Sequence, residues 1–129
     1  LVLNDVALPE HTASAVFVDT FERLRDRSHV GSLPASAWVA AAAAAGLVLE
    51  SHEVTGHRVD FTEWCGHAGC DAETVEALLA YLKRMPRRAA DWLDPRWADD
   101  DPEVPASDQR IVPQSILSRR VTMVARRES

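Results

Sequence analysis

The first six residues, Leu1-Val2-Leu3-Asn4-Asp5-Val6, constrain the fold more than any other stretch. An apolar run broken only by Asn4 and Asp5 reads as the end of a buried parallel strand, because a strand covered on both faces has no polar alternation to keep. Such a strand needs neighbouring strands and covering helices. A natural protein rarely begins inside its own core, so the expectation is a fragment of a larger α/β domain.

The rest of the chain alternates in the same sense. Ala7 to His11 reads as a turn, with Thr12 as the cap of a helix over residues 13 to about 26, whose Phe17, Phe21 and Leu24 fall at helical spacing. A second helix is predicted from about Ala35 to Ala45, entered through Pro34 and stopped by Gly46. Leu47 to Val54 reads as a strand. Asp60-Phe61-Thr62-Glu63 is a capping box that opens a short helix. Asp71 opens another, with Val75, Leu78, Leu79 and Leu82 on one face and Pro86 as its interruption. Residues 60–93 thus form a helical insertion. Residues 94–113 are acidic and carry prolines, as a solvated loop does. Ser115 to Ala125 closes the pattern as a strand. Residues 1–129 are read as one partial α/β domain.

Composition narrows the function classes. A net charge of −6 argues against nucleic acid, which requires a basic face. No apolar run approaches the ~20 residues that span a bilayer, and no basic residue precedes an apolar run in the manner of a secretory signal. Two cysteines in 129 residues are too few for a disulfide scaffold, so a reducing cytoplasm is the expected compartment. Both lie in Trp64-Cys65-Gly66-His67-Ala68-Gly69-Cys70. Zinc needs about four converging ligands. No second cysteine pair exists, and on a helix Cys65 and His67 point about 200° apart. The cysteines are read as incidental, and no metal site is expected.

Several strings, in this order, resemble the C-terminal half of class I S-adenosylmethionine-dependent methyltransferases, most nearly the small-molecule branch of ubiquinone and menaquinone biosynthesis. Leu1 to Ala7 resembles the family's fifth strand and the acidic turn after it. Phe21 to Val30, containing Leu24-Arg25-Asp26-Arg27-Ser28-His29, resembles a stretch that many members write as leucine, arginine, aspartate, any residue, serine, histidine. Leu33 to Trp38, and on to Ala45-Gly46-Leu47, is similar to the helix that starts near a tryptophan and ends in an alanine-glycine-leucine corner. Pro34 and Ala37 depart from the family's usual cap and glutamate there. Phe61 to Trp64 resembles the next short helix, and Val121 to Arg127 the seventh strand.

The resemblance implies the C-terminal part of a Rossmann-like sheet, strands five, six and seven with their helices, without the N-terminal half that binds the cofactor. It implies a parent that transfers a methyl group from S-adenosylmethionine to a small organic acceptor. The family's donor site is a glycine-rich turn after the first strand, where the missing side chains let backbone approach ligand. None of Gly31, Gly46, Gly56, Gly66 and Gly69 forms a G-x-G pair. The fragment itself is therefore expected to be inactive and to bind no cofactor. In the family's sheet the fifth strand lies between the fourth and the seventh, so an unneighboured Leu1–Val6 edge is expected to make a homodimer.

Candidate site residues carry two readings each. Arg25 to His29 is either a helix C-terminus favoured by the dipole or, as the resemblance implies, a segment over the active-site mouth. In the second reading His29 accepts a proton or bonds substrate, while Arg25 and Asp26 order the segment or, for Arg25, hold an acidic group. Asp5, Glu10 and His11 follow a strand's carboxyl end, where open α/β sheets bind ligands, or else form a solvated turn. Trp38, Trp64, Trp92 and Trp97 read as packing residues, with Trp64 the best candidate to cover substrate. The alternative to a methyltransferase fragment is a stand-alone α+β binding or protein-interaction module without catalysis.

Overall fold

The computed structural model describes residues 1–29, 31–97 and 113–127. The elements are β1 (Val2–Leu8), α1 (Thr12–Arg25), β2 (Leu33–Pro34), α2 (Ala35–Ala44), β3 (Leu47–Asp60), α3 (Phe61–His67), α4 (Ala72–Arg84), α5 (Arg87–Leu93), β4 (Arg96–Trp97) and β5 (Pro113–Arg127). The sheet runs β2-β1-β5-β3, with β4 also on β5. β5 is antiparallel to both β1 and β3, so those two run parallel to each other with a reversed strand between them. β2 adds to the outer edge of β1 in parallel, but only at Ala7 and Leu8.

Local signals explain most boundaries. Asp60 and Asp71 cap α3 and α4 by accepting from Glu63 N at 2.9 Å and Thr74 N at 2.7 Å. Pro86 ends the run of α4 and caps α5. Gly46, at φ 77°, takes the left-handed turn after α2. Asp94 takes the same region at φ 41° after α5. There Arg58 of β3 holds it, Nη1 donating to its carbonyl at 3.1 Å, so the end of α5 is tied to the sheet.

The structure corrects four expectations. His11, not Thr12, caps α1: its Nδ1 accepts from Ser14 N at 3.3 Å, the three-residue reach a cap needs. β1 runs to Leu8 rather than stopping at Val6, because β2 pairs with Ala7 and Leu8. Asp5 is therefore a mid-strand residue opposite Val121. β3 continues to Asp60 rather than Val54, since β5 pairs with its backbone while its polar side chains stay exposed. Within the stretch read as a loop, Arg96 and Trp97 pair with Ser115 and Pro113, and residues 98–112 lie outside the described residues.

One cluster forms the main core. Phe21, Phe61, Leu78 and Ile116 are fully buried in it, each worth roughly 1.5–3 kcal/mol relative to exposure. It joins α1, α3, α4, α5 and the first half of β5. α1 packs against α4 and α5, while α2 packs on β3 and β5. The outer edge of β1 from Val2 to Val6 has no strand partner among the described residues, and Leu1 and Val2 are 67% and 70% exposed. No helix among the described residues is long and apolar enough to cross a membrane.

Candidate functional site

β1 and β3 are parallel, so their carboxyl ends point the same way, and the insertion that starts at Phe61 returns across the end of β1. Trp92 of α5 donates from Nε1 to Ala7 O at 3.1 Å. Arg119 of β5 stacks over the Trp92 ring, 4.5 Å from its centroid, and donates from Nε to Trp92 O at 2.9 Å. These contacts fix the helical layer over the end of β1. That is where open α/β sheets bind their ligands.

The C-terminal half of α1 brings the charged groups together. Arg25 Nε donates to Trp64 O at 3.0 Å, and its guanidinium lies over the Trp64 ring. Trp64 in turn stacks on Phe21, with centroids 5.6 Å apart. Arg25 Nη1 stands 3.5 Å from Glu22 Oε2. Burial pushes the Glu22 carboxyl above its usual range, with Arg25 and His29 pulling the other way. The ion pair and the raised value point in opposite directions. The burial of Glu22 is nearly complete, so desolvation prevails.

One turn away, Asp19 Oδ1 meets His29 Nε2 at 3.0 Å and accepts from Ser32 N at 3.2 Å, while Oδ2 meets Arg23 Nε at 3.0 Å. Asp26 accepts from the Ser28 hydroxyl at 2.6 Å and from Ser28 N at 3.0 Å; these bonds hold its carboxyl below the ordinary range. Arg25, Asp26 and Ser28 border a surface cleft of about 320 Å³ that Gly69, Cys70 and Asp71 close from the other side.

Of the residues singled out from sequence, Arg25 and Trp64 are in direct contact, and Asp26 shares the cleft with Arg25. His29 joins Asp19 instead, with Glu22 within its electrostatic reach. Asp5 is apart from both groups; its Oδ1 accepts from Val6 N at 2.7 Å. His11 is exposed at the start of α1, and the neighbouring Glu10 is held by Ser36 across the gap to α2. Sequence reasoning missed Asp19, Glu22 and Arg119, and read Trp92 as a packing residue, which it is. A signal existed for Glu22, an acid four residues after buried Val18 on the apolar face of the helix.

The cysteines belong to the packing. Cys65 is 3% exposed in the core cluster, where burial first and neighbouring Cys70 second push its thiol up to about 12. Cys70 Sγ donates to Arg25 O at 3.3 Å. Among the described residues no group of three or more His, Cys, Asp or Glu side chains could hold a metal ion. Nor do the described residues form a glycine-rich turn. Gly31 and Gly56 are crowded by Arg23 and Leu117, and no glycine lies in a strand-to-helix turn at the carboxyl end of β1 or β3.

Solved structures share this fold, among them two proteins of Bacillus species. BH2331 of Bacillus halodurans C-125, provisionally assigned as a methyltransferase, matches 100% of this chain with a TM-score of 0.81 and 24% identity. YcgJ of Bacillus subtilis matches 99% with a TM-score of 0.79 and 22% identity. The fold is that of about half of each of these two proteins. The chain spans 51% of the length of each of these structures. Its reversed strand β5 stands between β1 and β3, the order that the resemblance implies for strands five, seven and six. No family model and no curated protein matches the sequence.

Proposed function

We propose that Leu1–Ser129 is the acceptor-side portion of a methyltransferase that moves the methyl group of S-adenosylmethionine to a small organic molecule. The observation that carries this reading is the helical layer tied by Trp92 and Arg119 across the carboxyl end of β1, in a fold that the whole chain shares with half of BH2331. The protein's part in such chemistry is mainly to position donor and acceptor and to receive a proton where the acceptor must lose one. His29 is the proposed proton acceptor. Arg25, Asp26 and Trp64 hold the segment and the cover over the acceptor, while Asp5 and His11 lie apart from this group.

The lack of a glycine turn supports donor binding by residues outside this range and an inactive isolated chain. Two free thiols, Cys65 and Cys70, suit a reducing cytoplasm. Small molecules, not nucleic acid or membranes, are the proposed partners, and in the isolated chain a second copy covers the outer edge of β1.

Isothermal titration of S-adenosylmethionine tests the division of labour. The isolated chain should give no heat, whereas the product of the intact reading frame should bind. Micromolar binding to Leu1–Ser129 alone would contradict the reading.

A further inference from the structure

α3 ends in a turn whose two backbone hydrogen bonds fix where both cysteines stand. Cys70 N donates to Cys65 O at 3.1 Å, and Gly69 N donates to Gly66 O at 3.0 Å. This nested pair closes a helix through one left-handed residue, which Gly69 supplies at φ 71°. In such a turn the side chains at the two ends of the longer bond meet. Here both of them are cysteines, so a spacing that reads as incidental in the sequence becomes a contact. The Cys65 thiol is hydrogen-bonded to Cys70, and Cys70 gives its own hydrogen to Arg25 O at 3.3 Å.

The two sulfurs differ in access. Cys65 is buried in the core cluster, and burial keeps its thiol protonated. Cys70 is half-buried and borders the cleft of about 320 Å³ beside Arg25, Asp26 and Ser28. Both cysteines also line a pocket of about 210 Å³ with Phe61, Thr62, Gly66 and Val75, so neither sulfur is packed on every side. Arg25 is the last residue of α1, and a carbonyl in the last turn has no partner within its own helix. The Cys70 S–H donates to that carbonyl, so the chemical state of this sulfur bears on the end of α1.

We propose that Cys65 and Cys70 form a reversible disulfide with a hydroperoxide as oxidant, and that closing it releases the end of α1. Cys70 reacts first, because the cleft reaches it. Its thiolate attacks the terminal oxygen of the hydroperoxide, the O–O bond breaks, and the leaving alkoxide takes up the thiol's proton. The product is a sulfenic acid on Cys70. The Cys65 sulfur then displaces that hydroxyl: an S–S bond forms, the S–O bond breaks, and the Cys65 proton leaves with the hydroxide as water. Two thiols are oxidised, and the hydroperoxide is reduced to an alcohol and water. A dithiol reverses the step by exchange. The disulfide has no S–H to donate, so Arg25 O loses its contact. This inference does not depend on the acceptor-side reading.

Thiol counting and peptide mass on the purified chain, before and after one equivalent of hydrogen peroxide, test it. Both cysteines fall in the tryptic peptide Val59–Lys83. After oxidation that peptide should lack two hydrogens and carry no free thiol, and dithiothreitol should restore both thiols. Cys65→Ala should stop at the sulfenic acid, trapped on Cys70 by dimedone, and Cys70→Ala should leave Cys65 unoxidised. If either variant fails to fold, the wild-type thiol count decides alone. Amide hydrogen exchange over residues 22–29 should quicken several-fold on oxidation and return on reduction. Two thiols surviving the peroxide, or lost only to sulfinic acid or to links between chains, would overturn the proposal. A disulfide that leaves exchange at the end of α1 unchanged would overturn the release.

Discussion

The guanidinium carbon of Arg25 lies 4.1 Å from the centroid of the Trp64 ring, and Nε of the same side chain donates to the Trp64 carbonyl at 3.0 Å. One side chain therefore grips one tryptophan by both its ring and its backbone, joining the end of α1 to α3. Arg25→Ala should lower stability by about 2–3 kcal/mol, combining a partly desolvated stacking contact, a hydrogen bond and an abandoned Glu22. Arg25→Lys should recover only part, since an ammonium cannot stack and donate sideways in that geometry. Equilibrium urea unfolding reads both, and an alanine variant as stable as wild type would deny the contact any role.

Glu22 should make stability depend on pH in a particular direction. Its folded-state value is raised above the ordinary 4.5, chiefly by burial. The stability it contributes is therefore fully present below that ordinary value and is lost as pH rises through the folded-state value. Glu22→Gln, which resembles the protonated acid at every pH, should gain on wild type as pH rises from about 4 to about 8. Melting temperatures across that range check it; a variant that instead loses ground with rising pH would mean that the Arg25 ion pair outweighs burial.

Trp92→Phe keeps the ring over the sheet but removes the Nε1 donor from Ala7 O. The expected cost is about 1 kcal/mol, the net worth of one partly buried hydrogen bond. Urea unfolding should show it as a lower midpoint with an unchanged slope.

Much of the architecture was legible because it depends on nearest neighbours in sequence. Asp60 and Asp71 announce α3 and α4 by cap chemistry, and Val75 to Leu82 announce the buried face of α4 by spacing. The full length of β3 was not legible, because β5 pairs with its backbone while residues such as Glu53 and His57 stay exposed. Asp5 looked like a strand end for a similar reason: the pairing of Ala7 with Leu33 spans a whole helix. The site was half legible. Arg25 and Trp64 were both marked, yet nothing local says that they touch, and the link from Asp19 to His29 crosses the end of α1.

The open edge of β1 should make the isolated chain associate. Leu1 and Val2 are largely exposed beside a strand edge that has no partner among the described residues, and antiparallel pairing of that edge with its copy would form a closed two-fold dimer. A net charge of −6 opposes this weakly, since screening acts within about 8 Å at physiological salt. Sedimentation equilibrium at micromolar concentration should find a dimer, and Val2→Lys should shift it toward monomer. A wild-type monomer would show that this edge needs no cover.

Methyl transfer itself is the most direct measurement. The product of the intact reading frame that contains Leu1–Ser129 is incubated with methyl-tritiated S-adenosylmethionine and a cell metabolite extract, and the label is followed by size. Label is expected in the low-molecular-weight fraction, with turnover reduced at least about tenfold by His29→Gln, the lower range of a lost general base being about a hundredfold. Label confined to protein or nucleic acid, or no transfer by an enzyme shown to be folded and to bind the donor, would contradict the assignment of this half to a small-molecule acceptor.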